Sequence, residues 1–97
     1  MTIKQVLELF LGGAEEGYTG SKSNPGNLKI KGDKLFHYST VIAQRDSAKN
    51  YYVNLSQYSI QTGNVQKQLK TALEGQDYVS VKRVPRDYEG SLADYEK

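Results

Sequence analysis

Asn27-Leu28-Lys29-Ile30-Lys31-Gly32-Asp33-Lys34-Leu35-Phe36-His37-Tyr38 is the stretch whose reading decides the fold. Leu28 and Ile30 alternate with Lys29 and Lys31, the period-two pattern of a strand with one face buried. Gly32-Asp33 interrupts it as a two-residue turn with glycine first, as a type II′ hairpin prefers. Leu35-Phe36-His37-Tyr38 reads as the return strand. Further on, Val41-Ile42-Ala43-Gln44-Arg45 is a third strand candidate and Asp46-Ser47-Ala48-Lys49 a polar turn. Tyr51-Tyr52-Val53-Asn54-Leu55 is strongly β-prone. Together these predict an antiparallel meander of three or four short strands.

The flanks read as helices. Ile3, Val6, Leu7 and Phe10 form one apolar stripe at helical period. Thr2 is the expected N-cap and Gly12-Gly13 the stop, which gives a helix over about 3–11. Residues 12–27 carry repeated Gly with Ser, Asn and Pro, and read as a long flexible connector. After the meander, Thr62 is the expected cap of a second helix with Val65, Leu69, Ala72 and Leu73 on its apolar face. Gln66, Lys67 and Lys70 are expected on the opposite face, and Gly75 closes the helix. Tyr78 to Val84 alternates as a final strand that Pro85 ends. The segment 86–97 is polar and acidic and reads as a loose tail. The expectation is an α+β fold of order α-β-β-β(-β)-α-β, an antiparallel β-meander with two helices packed on one face. Residues 1–84 would form a single domain and 85–97 an acidic tail.

The 97 residues suffice for one domain. The chain has no cysteine, which excludes disulfides and thiolate metal sites. Gln5 and Glu8 break the apolar start that a signal peptide needs, and no apolar run approaches the ~20 residues of a membrane span. A cytoplasmic protein that does not enter the membrane is the expectation. Charge is uneven: residues 1–84 hold 11 Lys and Arg against 7 Asp and Glu, whereas 85–97 hold 2 against 4. The body is mildly basic, well short of the dense patches that mark nucleic-acid binding by default.

No catalytic constellation is readable. His37 is the single histidine. Its neighbours Tyr38, Ser39 and Thr40 point to alternate faces of a strand, so adjacency makes no dyad. It is expected to be structural or simply exposed. No metal-ligand spacing occurs, and neither a metal nor another cofactor is expected. Gly17-Tyr18-Thr19-Gly20-Ser21-Lys22-Ser23 lacks the Gly-Lys-Ser/Thr ending of a phosphate loop and follows a helix instead of a strand. The eight tyrosines point instead to binding. Lys29 and Lys31 share a strand face, Lys34 lies beyond the turn, and Tyr38, Tyr51 and Tyr52 are candidates to emerge beside them. These six residues form the expected binding set, for a protein partner or alternatively for nucleic-acid bases. A third reading is sequestration of a nucleotide or other small ligand by the 12–27 loop.

Two resemblances bear on this. The helix-meander-helix order resembles that of double-stranded-RNA-binding domains, with Glu8 a match for a first-helix glutamate. The basic cluster of that family is missing from Thr62-Gly63-Asn64-Val65-Gln66-Lys67, so its function is not implied. Asn27-Leu28-x-Ile30-x-Gly32-Asp33-x-Leu35-x-x-Tyr38-x-Thr40-x-Ile42-Ala43, then Tyr52-x-Asn54 and Tyr58-Ser59-x-x-Thr62, resembles a small domain of unknown function found in bacteriophage and archaeal-virus proteins. It covers roughly residues 26–67; Gln61 and Gly63 depart from that domain's Thr/Ser-rich turn. The resemblance implies a phage accessory protein made in the host cytoplasm and carries no established activity; the missing active site is what points to a protein without enzymatic activity. Such proteins commonly act by binding a host or phage protein, including as inhibitors of bacterial immunity such as anti-CRISPR proteins.

Overall fold

The computed structural model of the chain describes residues 2–20, 25–38, 40–46, 50–88 and 90–95. Helix α1 spans Ile3–Leu11 and starts from a capping box. The Thr2 hydroxyl accepts the Gln5 N–H at 3.2 Å, and the Gln5 side-chain oxygen accepts the Thr2 N–H at 2.9 Å. Two donors that a helix start leaves without partners are thereby satisfied. Val6, Leu7 and Phe10 form its buried face, as the stripe predicts.

Six strands follow in one sheet whose spatial order is the sequence order. They are β1 (Glu16–Gly20), β2 (Pro25–Lys31), β3 (Lys34–His37), β4 (Thr40–Arg45), β5 (Tyr51–Asn54) and β6 (Val79–Val81). Helix α2 (Ile60–Ala72) lies between β5 and β6 in the chain, and a short 3₁₀ turn covers Leu92–Tyr95. All neighbours are antiparallel except β5 and β6, which run parallel across the α2 connection. This is the expected α+β fold. The β2–β3 hairpin closes where Lys31 faces Lys34, with Gly32 at φ +65, a backbone region that glycine enters without steric cost.

The connector expected over residues 12–27 is corrected. Residues 16–20 form β1 and the chain re-enters the sheet at Pro25. The glycines that suggested a loop serve close packing. A Cβ on Gly26 would stand 2.1 Å from the Thr19 hydroxyl oxygen. That hydroxyl lies 3.3 Å from the Leu28 N–H nitrogen and 3.4 Å from the Leu28 carbonyl, pinning β1 to β2. Ser21–Asn24, part of the stretch weighed as a phosphate loop, and Ser47–Lys49 of the expected polar turn lie outside the described residues.

Strand β4 is buried on both faces, by the helices on one side and the C-terminal segment on the other, and a bulge decides which residues face each. Leu35 pairs with Ala43, but Phe36 pairs with Val41, which leaves Ile42 as an inserted residue. Ile42 and Ala43 both join the core beneath the helices, with Leu7, Phe10, Leu28, Leu35 and Leu69. Val41 joins a second core on the outer face, with Tyr52, Val81, Val84 and Leu92. Arg45, at the end of β4, ties the first core together. Its guanidinium donates to the Phe10 carbonyl at 2.6 Å and the Gly32 carbonyl at 3.1 Å, and lies 4.7 Å from the Phe10 ring centroid.

Further expectations are corrected at the C-terminal half. Helix α2 is capped by Ser59, whose hydroxyl accepts the Thr62 N–H. Thr62 is therefore inside the first turn and buried. Gln66, expected outside, is buried because its amide donates to the Asn54 and Ser56 carbonyls at 2.6 and 3.0 Å. Ala72, expected inside, is exposed. Strand β6 is shorter than expected: Arg83 takes φ +61, so the chain leaves the sheet before Pro85. The segment expected to be loose crosses the outer face as a strap. Leu92 is fully buried, and its N–H donates to the Gln44 side chain at 2.8 Å. Gln44 also donates to the Ser91 hydroxyl at 3.2 Å.

Leu92→Ala is expected to lower stability by about 2–4 kcal/mol, since it empties a closed core site. Urea denaturation of the full chain measures this; a loose segment would give a change near zero.

Candidate binding surface

The strap divides the outer sheet face into two halves. Over β4–β6 the face is covered by Val84, Tyr88, Leu92 and Tyr95. Over β1–β3, among the described residues, it is open: Glu16, Tyr18, Lys29 and Lys31 are exposed. Strand alternation brings two cross-strand rows to this open half. Tyr18 pairs with Lys29, Lys29 with Phe36 and Phe36 with Val41. In the next row Glu16 pairs with Lys31, Lys31 with Lys34 and Lys34 with Gln44. Adjacent strands are about 4.8 Å apart, so Tyr18 and Phe36 flank Lys29 across a span of about 10 Å. The Lys29 ammonium lies 5.9 Å from the Phe36 ring centroid. Tyr18 is 39% exposed, and Lys29 and Lys31 are exposed. Phe36 bridges the halves, since it also packs against the strap's core.

Of the six expected binding residues, the structure brings together Lys29, Lys31 and Lys34. The tyrosines go elsewhere. Tyr51 faces the helices: its hydroxyl donates to the Leu11 carbonyl at 2.6 Å and its ring meets Phe10 edge-on at 6.0 Å. Tyr52 is on the lysine face but lies under the strap, 8% exposed. Tyr38 follows the end of β3 at φ +57 and is 50% exposed. Its hydroxyl donates to Gln61 at 2.8 Å and accepts from the Asn27 amide at 3.1 Å. The rings beside the lysines are instead the exposed Tyr18 and the half-buried Phe36. Tyr18 was hidden by the glycines around it, although Tyr18-Thr19 is itself β-prone. Phe36 is opposite Lys29 in the β2–β3 hairpin, so its face follows from the alternation of β3.

The strap that borders this surface is internally braced. The Tyr88 hydroxyl donates to the Asp94 carboxylate, and the Tyr88 ring meets Tyr95 edge-on at 4.9 Å. The bond to Asp94 holds the phenol proton and pushes the Tyr88 pKa up to about 12.

His37 is buried at the other end of β3. Its Nδ1 pairs with the Thr62 hydroxyl at 2.8 Å, and the Ser59 hydroxyl donates to Thr62 at 3.2 Å. Burial pushes its pKa below the ordinary value of 6.5, because desolvation disfavours the charged ring. Thr62 is itself buried, so the pair is a latch between β3 and α2. His37 also lines a cavity of about 350 Å³ with Thr2, Thr19 and Asn27. A second groove, of about 740 Å³, runs between the helices over Leu7, Leu11 and Ala72, with Lys4, Glu8 and Lys67 at its margins. Among the described residues, no three His, Asp or Glu side chains cluster as a metal site would require. No described helix is long and apolar enough to cross a membrane.

Comparison of the chain with protein-family models, with curated proteins and with solved structures finds no match.

Because the folded-state pKa of His37 lies below its unfolded value, the unfolded chain takes up this proton first as pH falls. The stabilising effect of neutral His37 is complete above about pH 6.5 and is lost as pH drops through the lowered folded value. Urea midpoints measured at about pH 7.5 and about pH 5.5 are expected to fall more for the wild type than for His37→Gln. Equal changes in the two proteins would remove His37 as the cause.

Proposed function

We propose that this protein is a non-enzymatic binding protein that captures a protein partner on the open half of its outer sheet face. The observation that carries this reading is the row Tyr18–Lys29–Phe36, two rings flanking a lysine, beside Lys31 and Lys34. Aromatic anchors at the centre and charged groups at the rim are the usual anatomy of a protein interface. The alternation of strands on a braced sheet holds these groups in place before any partner arrives, which lowers the entropic cost of binding. His37 supports a non-catalytic role, since it is buried, neutral and bonded to a buried threonine.

The same rings would stack nucleic-acid bases. The charge favours protein. Three lysines share the face with Glu16, whereas strongly salt-dependent DNA binding draws on about 6–10 phosphate contacts. In the viral setting implied by the resemblance of residues 26–67, the partner is a host protein and the effect of binding is inhibition, with a nuclease of bacterial immunity as one such target.

Lys29→Glu combined with Lys31→Glu is expected to leave the fold intact, since both side chains are exposed. Capture of the partner from host lysate should fall by about tenfold or more, the equivalent of about 1.4 kcal/mol. Stoichiometric capture that is equal for both proteins would move the site to another face. Salt-sensitive binding of an oligonucleotide, with no protein captured, would replace this reading with the nucleic-acid one.

A further inference from the structure

The outer face already holds one segment of the chain itself, the strap, and the open half continues that face beyond it. The strap enters at Val84 and buries Leu92, with Tyr88 and Tyr95 packed beside it. Its sequence is acidic: Asp87, Glu89, Asp94 and Glu96 stand against Arg86 and Lys97. It is held by Gln44, through the Leu92 N–H and the Ser91 hydroxyl. Gln44 is the direct cross-strand partner of Lys34, so the row that anchors the strap continues as Lys34, Lys31 and Glu16 on the open half. Phe36 belongs to both halves: it packs on the strap's core and receives the Lys29 ammonium.

We propose that the open half binds an acidic peptide segment carrying a leucine or tyrosine anchor, laid beside the strap. This rests on the protein-binding reading above and names the chemistry of the partner. The anchor packs against the exposed Tyr18 ring beside the Lys29 stem, on the face where Leu92 packs among Val41, Tyr52 and Val81. The carboxylates meet Lys29 and Lys31, which stand two residues apart on one strand face. The strap is held by apolar packing of Leu92, Tyr88 and Tyr95 and by the Gln44 hydrogen bonds. The open half adds charge complementarity to the same apolar footing.

The probe is a fluorescein-labelled synthetic peptide copying Arg86 to Tyr95, titrated into the full chain and followed by fluorescence anisotropy and by amide chemical shifts. Binding is expected, with shifts at Tyr18, Lys29, Lys31 and Phe36. A peptide with Asp87→Asn, Glu89→Gln and Asp94→Asn should bind at least about tenfold more weakly, and so should one with Leu92→Ala. The Lys29→Glu/Lys31→Glu chain should show the same loss toward the parent peptide. Equal affinity for the acidic and amide peptides would overturn the proposal. So would shifts confined to Gln44 and Tyr52, which would report displacement of the strap, or tighter binding of an oligothymidine than of the peptide. No peptide binding, together with lysine-dependent capture of a host protein, would overturn this inference alone and leave a folded partner. Loss of both would overturn the parent reading as well.

Discussion

The Asn54 side chain, at the end of β5, is the contact on which the rest of the architecture depends. Its amide donates to the Val41 carbonyl at 2.9 Å and to the Tyr58 hydroxyl at 2.8 Å, while its oxygen accepts the Ser56 N–H at 3.0 Å. Gln66 reaches down from α2 to the carbonyls of Asn54 and Ser56. The Ser56 hydroxyl accepts the Val84 N–H at 2.8 Å, and the Tyr58 hydroxyl donates to the Val84 carbonyl at 2.6 Å. Asn54, Ser56 and Gln66 are buried, where an unpaired polar group would cost about 1–3 kcal/mol. Among the described residues, every buried side-chain nitrogen and oxygen has a partner. Such a network tolerates few alternatives, because moving any member strands the others.

This network sits where the sheet changes character. Up to β5 every strand turns back on its predecessor; after it the chain climbs into α2 and returns parallel as β6. By holding both the exit from β5 and the residue Val84 beyond β6, the network aims the chain onto the outer face. Arg83, at φ +61, completes the change of direction. The strap then covers β4–β6 and leaves β1–β3 open. The position of the proposed binding surface is thus decided by a polar cluster that does not belong to it. The open half follows from where the strap stops, and its basic character from the alternation of Lys29 and Lys31 with Leu28 and Ile30.

The two sides of the sheet are kept distinct by the bulge in β4. Without the inserted Ile42, strict alternation would place Ile42 and Ala43 on opposite faces. With it, both serve the helix-side core, and Val41 and Gln44 serve the strap. The Arg45 side chain then lies beside the end of α1 and the β2–β3 turn, whose carbonyls it bridges. The His37–Thr62 pair performs a similar service at the opposite end of β3. Several polar and glycine residues of the 26–67 stretch have clear physical roles. Gly32 makes the turn, Asn54 and Tyr58 hold the crossover, Ser59 caps α2 and Thr62 latches His37.

Local patterns along the chain determined a good deal. The period-3.6 stripe and the Thr2 cap placed α1, because a helix start and its buried face are written within a few consecutive residues. Alternation around Gly32-Asp33 placed the β2–β3 hairpin and set Lys29 and Lys31 on one face, since side-chain direction in a strand follows from parity alone. Three things lay beyond that reach. The glycines at 17, 20 and 26 mimic a loop, and only the approach of β1 to β2 and α1 shows them to be strand residues. Gln66 looks solvent-facing until the carbonyls of Asn54 and Ser56, turned toward α2 by the crossover, supply its partners. The polar segment after Pro85 looks loose until Gln44 and the outer core meet Leu92, 48 residues away from Gln44 in sequence. Each of these depends on groups that are distant along the chain and adjacent only after folding. Sequence by itself therefore determined α1, the β2–β3 hairpin and the lysine face. Tertiary structure alone decided which tyrosines are buried and which half of the sheet is covered, because both depend on groups that meet only after folding.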